Sequence, residues 1–126
     1  MIRGAVNSRR EAVVRLRVRG PNGIEVGVDT IVDSGFTSSL TLPAAEVSTL
    51  GLIRQSGSSA VLADGSLRQF DIYAAEVEWD GRWLPVLVSG VGNEPLLGMR
   101  LMAGHKLIVE VVPDGLVEII PLPSFA

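Results

Sequence analysis

The sequence predicts an all-β fold, mostly antiparallel strands with one or two short helices. Two observations carry this expectation: apolar and polar residues alternate with a period of two, and four tight-turn signals separate short β-type runs. A third sets the scale. The chain has 126 residues, 47% hydrophobic and 20% charged, which suits a single domain over residues 1–126 with a core of its own. So apolar a chain can offset the entropy of ordering, and this excludes the disordered class.

Residues 12–18 show the alternation most clearly. Val14, Leu16 and Val18 point one way, and Arg15, Arg17 and Arg19 the other. The arginine stripe reads either as a phosphate-binding face or as a solvated strand face. A formal net charge of −3 favours the solvated face and argues against nucleic acid as a partner. Pro21-Asn22-Gly23 then turns the chain into a strand over 24–28. Pro43 at the first helical position and Gly51 after Leu50 bound a short helix. Asp64-Gly65-Ser66, Asp80-Gly81 and Pro113-Asp114-Gly115 are three further turns, because Asp and Gly tolerate the positive φ of hairpin turns. Residues 99–103 suit another helical turn or two before Gly104. The apolar run 116–121 fits either a dimer interface or an edge strand. Trp79 and Trp83 flank the Asp80-Gly81 turn and are expected to form a cross-strand aromatic pair. His105 is expected at the surface.

The chain has no cysteine, which excludes disulfides and thiolate metal sites, and a single histidine argues against zinc. There is no apolar run of about 18 residues, so no membrane span is expected. With no signal-peptide pattern either, a soluble cytoplasmic protein is the expectation.

One segment stands apart chemically. In Ile31-Val32-Asp33-Ser34-Gly35-Phe36-Thr37, two β-branched residues run into a carboxylate, a hydroxyl and a glycine. That suits a strand ending in a tight loop that presents Asp33, with Gly35 permitting close backbone approach and Ser34 fixing the loop by a hydrogen bond. Alone, Asp-Ser-Gly is what any turn contains. The second half of the chain adds Leu96-Leu97-Gly98, an apolar pair and a glycine before a short helical pattern.

Together these motifs resemble those of the retropepsin-like aspartic peptidases of clan AA, most closely the small prokaryotic group with Asp-Thr/Ser-Gly-Phe. The resemblance spans roughly residues 13–120. It implies a single-lobed acid-protease β-barrel with Asp33 catalytic and Ser34, Gly35, Phe36 and Thr37 in the active-site loop. It implies a flap tipped by Ala63, Asp64, Gly65 and Ser66, and Leu96, Leu97 and Gly98 as the second-half motif. Phe36, in place of the smaller residue of retroviral and pepsin-like members, is expected to narrow a substrate subsite. Thr37 and Ser38 stand where retroviral members carry acidic residues.

The chemistry activates a water between two carboxylates, one ionised as base and one protonated as acid. This chain supplies one such motif. The expectation is therefore a homodimer acting as an aspartic endopeptidase on a peptide or protein substrate, with paired Asp33 residues across a two-fold axis and no cofactor. A catalytically silent dimer of the same fold that binds peptides is the alternative.

Overall fold

The structure is a computed structural model that describes residues 1–123. Its elements are β1 (Ile2–Val6), β2 (Ala12–Arg19), β3 (Glu25–Val32), β4 (Leu40–Leu42), α1 (Ala44–Leu50), β5 (Ile53–Val61), β6 (Leu67–Trp79), β7 (Arg82–Gly90), β8 (Leu96–Leu97), β9 (His105–Val109) and β10 (Leu116–Pro121). The strands form one sheet in the order β5-β6-β7-β4-β8-β3-β2-β1-β10-β9. A further pairing of β2 with β6, through Val18↔Val77 and Arg19↔Glu76, closes six of them into a barrel. Closure satisfies strand edges that would otherwise stand open. The expected mostly β architecture is present, with one helix among the described residues.

The period-two pattern explains the core. Val14, Leu16 and Val18 of β2 face inward and meet Val28 of β3, Val77 of β6 and Val88 of β7 in one apolar cluster. Thr30 is the polar exception on that face. It is fully buried, and its hydroxyl donates to Val14 O at 2.6 Å, so no polar group is stranded. The arginines lie on the wet face, each with a carboxylate on a neighbouring strand. Arg15 pairs with Asp29, Arg17 with Glu25 and Glu78, and Arg19 with Glu76. This face neutralises itself and is the solvated strand face.

Four local expectations are corrected. Trp79 and Trp83 do not pair: Trp79 stands opposite Arg82 and Trp83 opposite Glu78, so the rings occupy opposite faces of the β6–β7 hairpin. Trp83 lies under the guanidinium of Arg19, 4.1 Å from its ring centre, while Trp79 is buried. His105 is half-buried rather than at the surface. Its Nδ1 contacts Ala103 O at 2.9 Å and its Nε2 accepts the Trp79 indole N–H at 3.3 Å. The helical turn expected over 99–103 is a run of turns, with Ala103 N–H donating to Arg100 O and His105 N–H to Met102 O, three residues back rather than four. The run 116–121 is not an edge, since β10 lies between β1 and β9 with Val117 and Ile119 fully buried.

Helix α1 is bounded almost as expected. Pro43 sits just outside it, one residue earlier than its expected position inside the first turn. At the other end Gly51 N–H donates to Ser48 O and Leu52 N–H to Val47 O, the paired bonds of a Schellman cap. The turn Asp80-Gly81 holds both residues at positive φ, 50° and 85°, as the tight two-residue hairpin requires.

Core and surface leucines should separate cleanly in urea denaturation. Leu40→Ala removes a side chain with 0% exposure and should cost about 2–5 kcal/mol. Leu87→Ala, at 56% exposure, should stay within about 0.5 kcal/mol of the parent.

Candidate active site

Asp33 begins the loop that leaves β3. Strand β8 runs parallel to the end of β3, with Ile31 beside Leu96 and Val32 beside Leu97. Two β-branched residues in the sequence thus meet two leucines from the far half of the chain. The backbone bonds continue past the strands. Ile31 N–H donates to Pro95 O and Asp33 N–H to Leu97 O, both at 2.9 Å. Beyond Asp33 the direction reverses: Gly98 N–H donates to Ser39 O at 2.9 Å, Met99 N–H to Phe36 O at 2.8 Å and Arg100 N–H to Ser38 O at 3.2 Å. The loop over residues 33–39 is therefore stitched to residues 97–100 along its length.

Gly98 makes this stitching sterically possible. A Cβ there would stand 1.9 Å from Ser38 O and 2.6 Å from Phe36 Cδ2, closer than atoms can approach. The Phe36 ring, expected to narrow a subsite, packs over Gly98 and is half-buried. Thr41 was missed by sequence reasoning. It is buried in β4, and its Oγ1 accepts Leu96 N–H at 2.9 Å, fixing the start of the second motif. Its only sequence signal is a hydroxyl between two leucines, which does not distinguish it from other short strands.

The Asp33 side chain is half-buried at the loop mouth. Its Oδ1 accepts Gly35 N–H at 2.9 Å, and its carbonyl accepts Phe36 N–H at 3.1 Å. One oxygen is oriented by the loop, while Oδ2 has no hydrogen-bond partner among the described residues. Ser34, Gly35 and Thr37 are exposed beside it.

The expected flap is the β5–β6 hairpin. Every residue of β5 is exposed, as are the first three of β6, so the hairpin stands out from the barrel. Its stem carries an Arg54–Asp71 ion pair at 2.8 Å and a register shift between Arg54 and Ser56, an extra residue that bends the strand. At the tip, Leu62 N–H donates to Ser66 O and Gly65 N–H to Leu62 O, with Ala63 exposed between them. Asp64 Oδ1 accepts both the Ser66 hydroxyl at 2.6 Å and the Ser66 N–H at 2.9 Å. These bonds, the hydroxyl's first, hold the Asp64 carboxyl below its ordinary value of 3.8.

Among the described residues no three His, Asp or Glu side chains are grouped to hold a metal ion. Among the same residues no helix is long and apolar enough to cross a membrane.

Two outcomes follow from this geometry. Gly98→Ala should lower stability by about 3 kcal/mol or more in thermal melts, because the neighbour it strikes is backbone. A melting temperature equal to the parent's would contradict the close approach. The Asp64 carboxyl should titrate below 3.8 by carbon NMR. Since its folded-state value is depressed, the part of the tip's order that Asp64 supplies is fully present above the unfolded value and is lost as pH falls through the folded one. Reduced protection of the Ser66 amide, relative to its intrinsic exchange rate at each pH, should accompany that acid transition.

No family model and no curated protein matches the sequence. Solved structures do. A retropepsin-like aspartic protease from Rickettsia conorii superposes with a TM-score of 0.61 at 16% identity, over 98% of this chain and 91% of that one. The EIAV protease, complexed with the inhibitor HBY-793, superposes with a TM-score of 0.53 at 16% identity, over 76% and 88%. The closed barrel, the paired motifs and the projecting hairpin thus make up a retropepsin-like fold.

Proposed function

We propose that the protein is an aspartic endopeptidase that works as a homodimer, each chain contributing one Asp33. The observation that carries this reading is the clamped loop. A half-buried carboxylate sits at the mouth of a turn that the chain's second half locks by four backbone bonds, Asp33 N–H→Leu97 O among them. So much rigidity around one acidic side chain is what preorganised chemistry requires and what an ordinary surface turn does not.

In the dimer one Asp33 is ionised and removes a proton from a water held between the pair. The water oxygen bonds to the peptide carbonyl carbon as the second, protonated Asp33 donates to the carbonyl oxygen. Collapse of the tetrahedral intermediate breaks the C–N bond, and the amine leaves with a proton returned from the pair. Ser34, exposed beside Asp33, is suited to bond the partner's loop. Asp64, Gly65 and Ser66 form the tip that closes over an extended peptide and excludes water. Phe36, following Gly35, supports a place in the small prokaryotic group. Its packing on Gly98 leaves the silent-binder alternative without an observation in its favour.

Asp33→Asn should retain the fold and the dimer while peptide cleavage falls by roughly 10²–10⁴-fold. The measurement is turnover of a fluorogenic peptide pool alongside sedimentation of the same samples. Cleavage near the parental rate would place the chemistry elsewhere. The parent rate should also follow a bell in pH, because a doubly ionised and a doubly protonated pair are both idle.

A further inference from the structure

Strand β4 spans three residues and β7 nine, and β4 pairs only with Val88, Ser89 and Gly90 of β7. Upstream of β4 the chain turns away into the stitched loop, where Ser38 O and Ser39 O accept the N–H groups of Arg100 and Gly98. Residues 82–87 of β7 are therefore paired on their β6 side alone among the described residues. The tight Asp80-Gly81 turn closes on the hydrogen-bonded pair Trp79↔Arg82, and bonded positions then alternate, so Leu84 and Val86 also bond β6. Trp83 and Leu87 turn their N–H groups outward, where no described backbone group accepts them. Pro85, which has no N–H to leave unpaired, turns out its carbonyl. A cleft of about 560 Å³ opens beside this edge, between residues 84–87 and the facing Ser38, Ser39, Arg100 and Leu101. From this edge and cleft we infer a docking site for an extended acidic segment of another protein, added to β7 as a further strand.

Three features specify the occupant. The cleft has an apolar floor: Leu84 is half-buried and packs on the core, and Val86 and Leu101 are buried. Residues of an added strand that lie opposite Leu84 and Val86 turn their side chains onto that floor. The second feature is a hydroxyl. Ser39 is 6% exposed, yet its Oγ has no hydrogen-bond partner among the described residues. It borders the cleft, where an incoming carboxylate or carbonyl can accept its proton. The third is charge. Arg100 is exposed on the far wall and joins no ion pair among the described residues, and no carboxylate borders the cleft. The cleft is thus a positive spot on a chain of net charge −3. A strand-adding segment draws affinity from main-chain bonds and specificity from side-chain positions such as these. Neither Asp33 nor the β5–β6 hairpin lines the cleft, so this site is separate from the one proposed for cleavage.

The probe is a short peptide with blocked ends that alternates valine with aspartate, and its control carries asparagine in place of aspartate. Titrated into the nitrogen-labelled parent and followed by NMR, the aspartate peptide should shift the Trp83 and Leu87 amides saturably and protect them from exchange. The asparagine peptide should bind roughly tenfold more weakly, through loss of the charge-assisted bond to Arg100. Arg100→Lys should keep most of the preference for aspartate, and Arg100→Glu should abolish it. Shifts confined to the Asp33 loop and the projecting hairpin overturn the proposal, as do equal affinities for the two peptides or the absence of any saturable shift. Trp83 and Leu87 amides already protected in the free protein overturn it too, because a segment of this chain or a second copy then fills the edge. None of these outcomes bears on cleavage by paired Asp33 groups, so the two readings fail separately.

Discussion

The structure depends on the hydrogen-bonded seam between residues 33–39 and residues 97–100. Its donors and acceptors are backbone groups, so it is insensitive to most substitutions, but it demands that the two segments come very close. That demand falls on Gly98, which faces Ser38 O with no room for a Cβ. Met99 and Arg100 donate into the same loop, to Phe36 O and Ser38 O. The barrel serves this seam: parallel pairing of β3 with β8 delivers the two segments to one point, and the β2–β6 closure holds the strands that flank them.

The polar groups of the barrel are arranged by the same logic of local satisfaction. Thr30 and Thr41 are buried hydroxyls that take backbone partners, Val14 O and Leu96 N–H. On the wet face, guanidinium groups of β2 alternate with carboxylates from β3 and β6, and the Trp83 ring fills the space beneath Arg19. Exposed ion pairs of this kind contribute little each, on the order of 0.2–1 kcal/mol. Their larger effect is to leave the strand face without a net field for a polyanion.

The fold class was legible because its signals are local. Alternation in β2 and the Asp80-Gly81, Asn22-Gly23 and Gly65 turns report on backbone geometry within a few residues. The site was legible only as a pair of motifs, since neither Asp33-Ser34-Gly35 nor Leu96-Leu97-Gly98 is distinctive alone. What failed was long-range. The partners of Trp79, Trp83 and His105 depend on which face of β6 and β7 looks inward and on where β9 passes. Thr41 and the direction of the Phe36 ring depend on the seam itself, and no spacing in the sequence encodes its depth.

The first strand, β1, lies between β2 and β10 of its own chain. Both sides of that strand are satisfied within the chain, and at this end of the sheet only the outer edge of β9 stands open among the described residues. The pairing of β1 is thus made within one chain, and under the two-chain reading doubling is a separate, concentration-dependent event. Under the two-chain reading, the amount of assembled catalyst in dilute conditions rises with the square of the chain concentration. Activity per chain, and not only the total, would then rise with concentration.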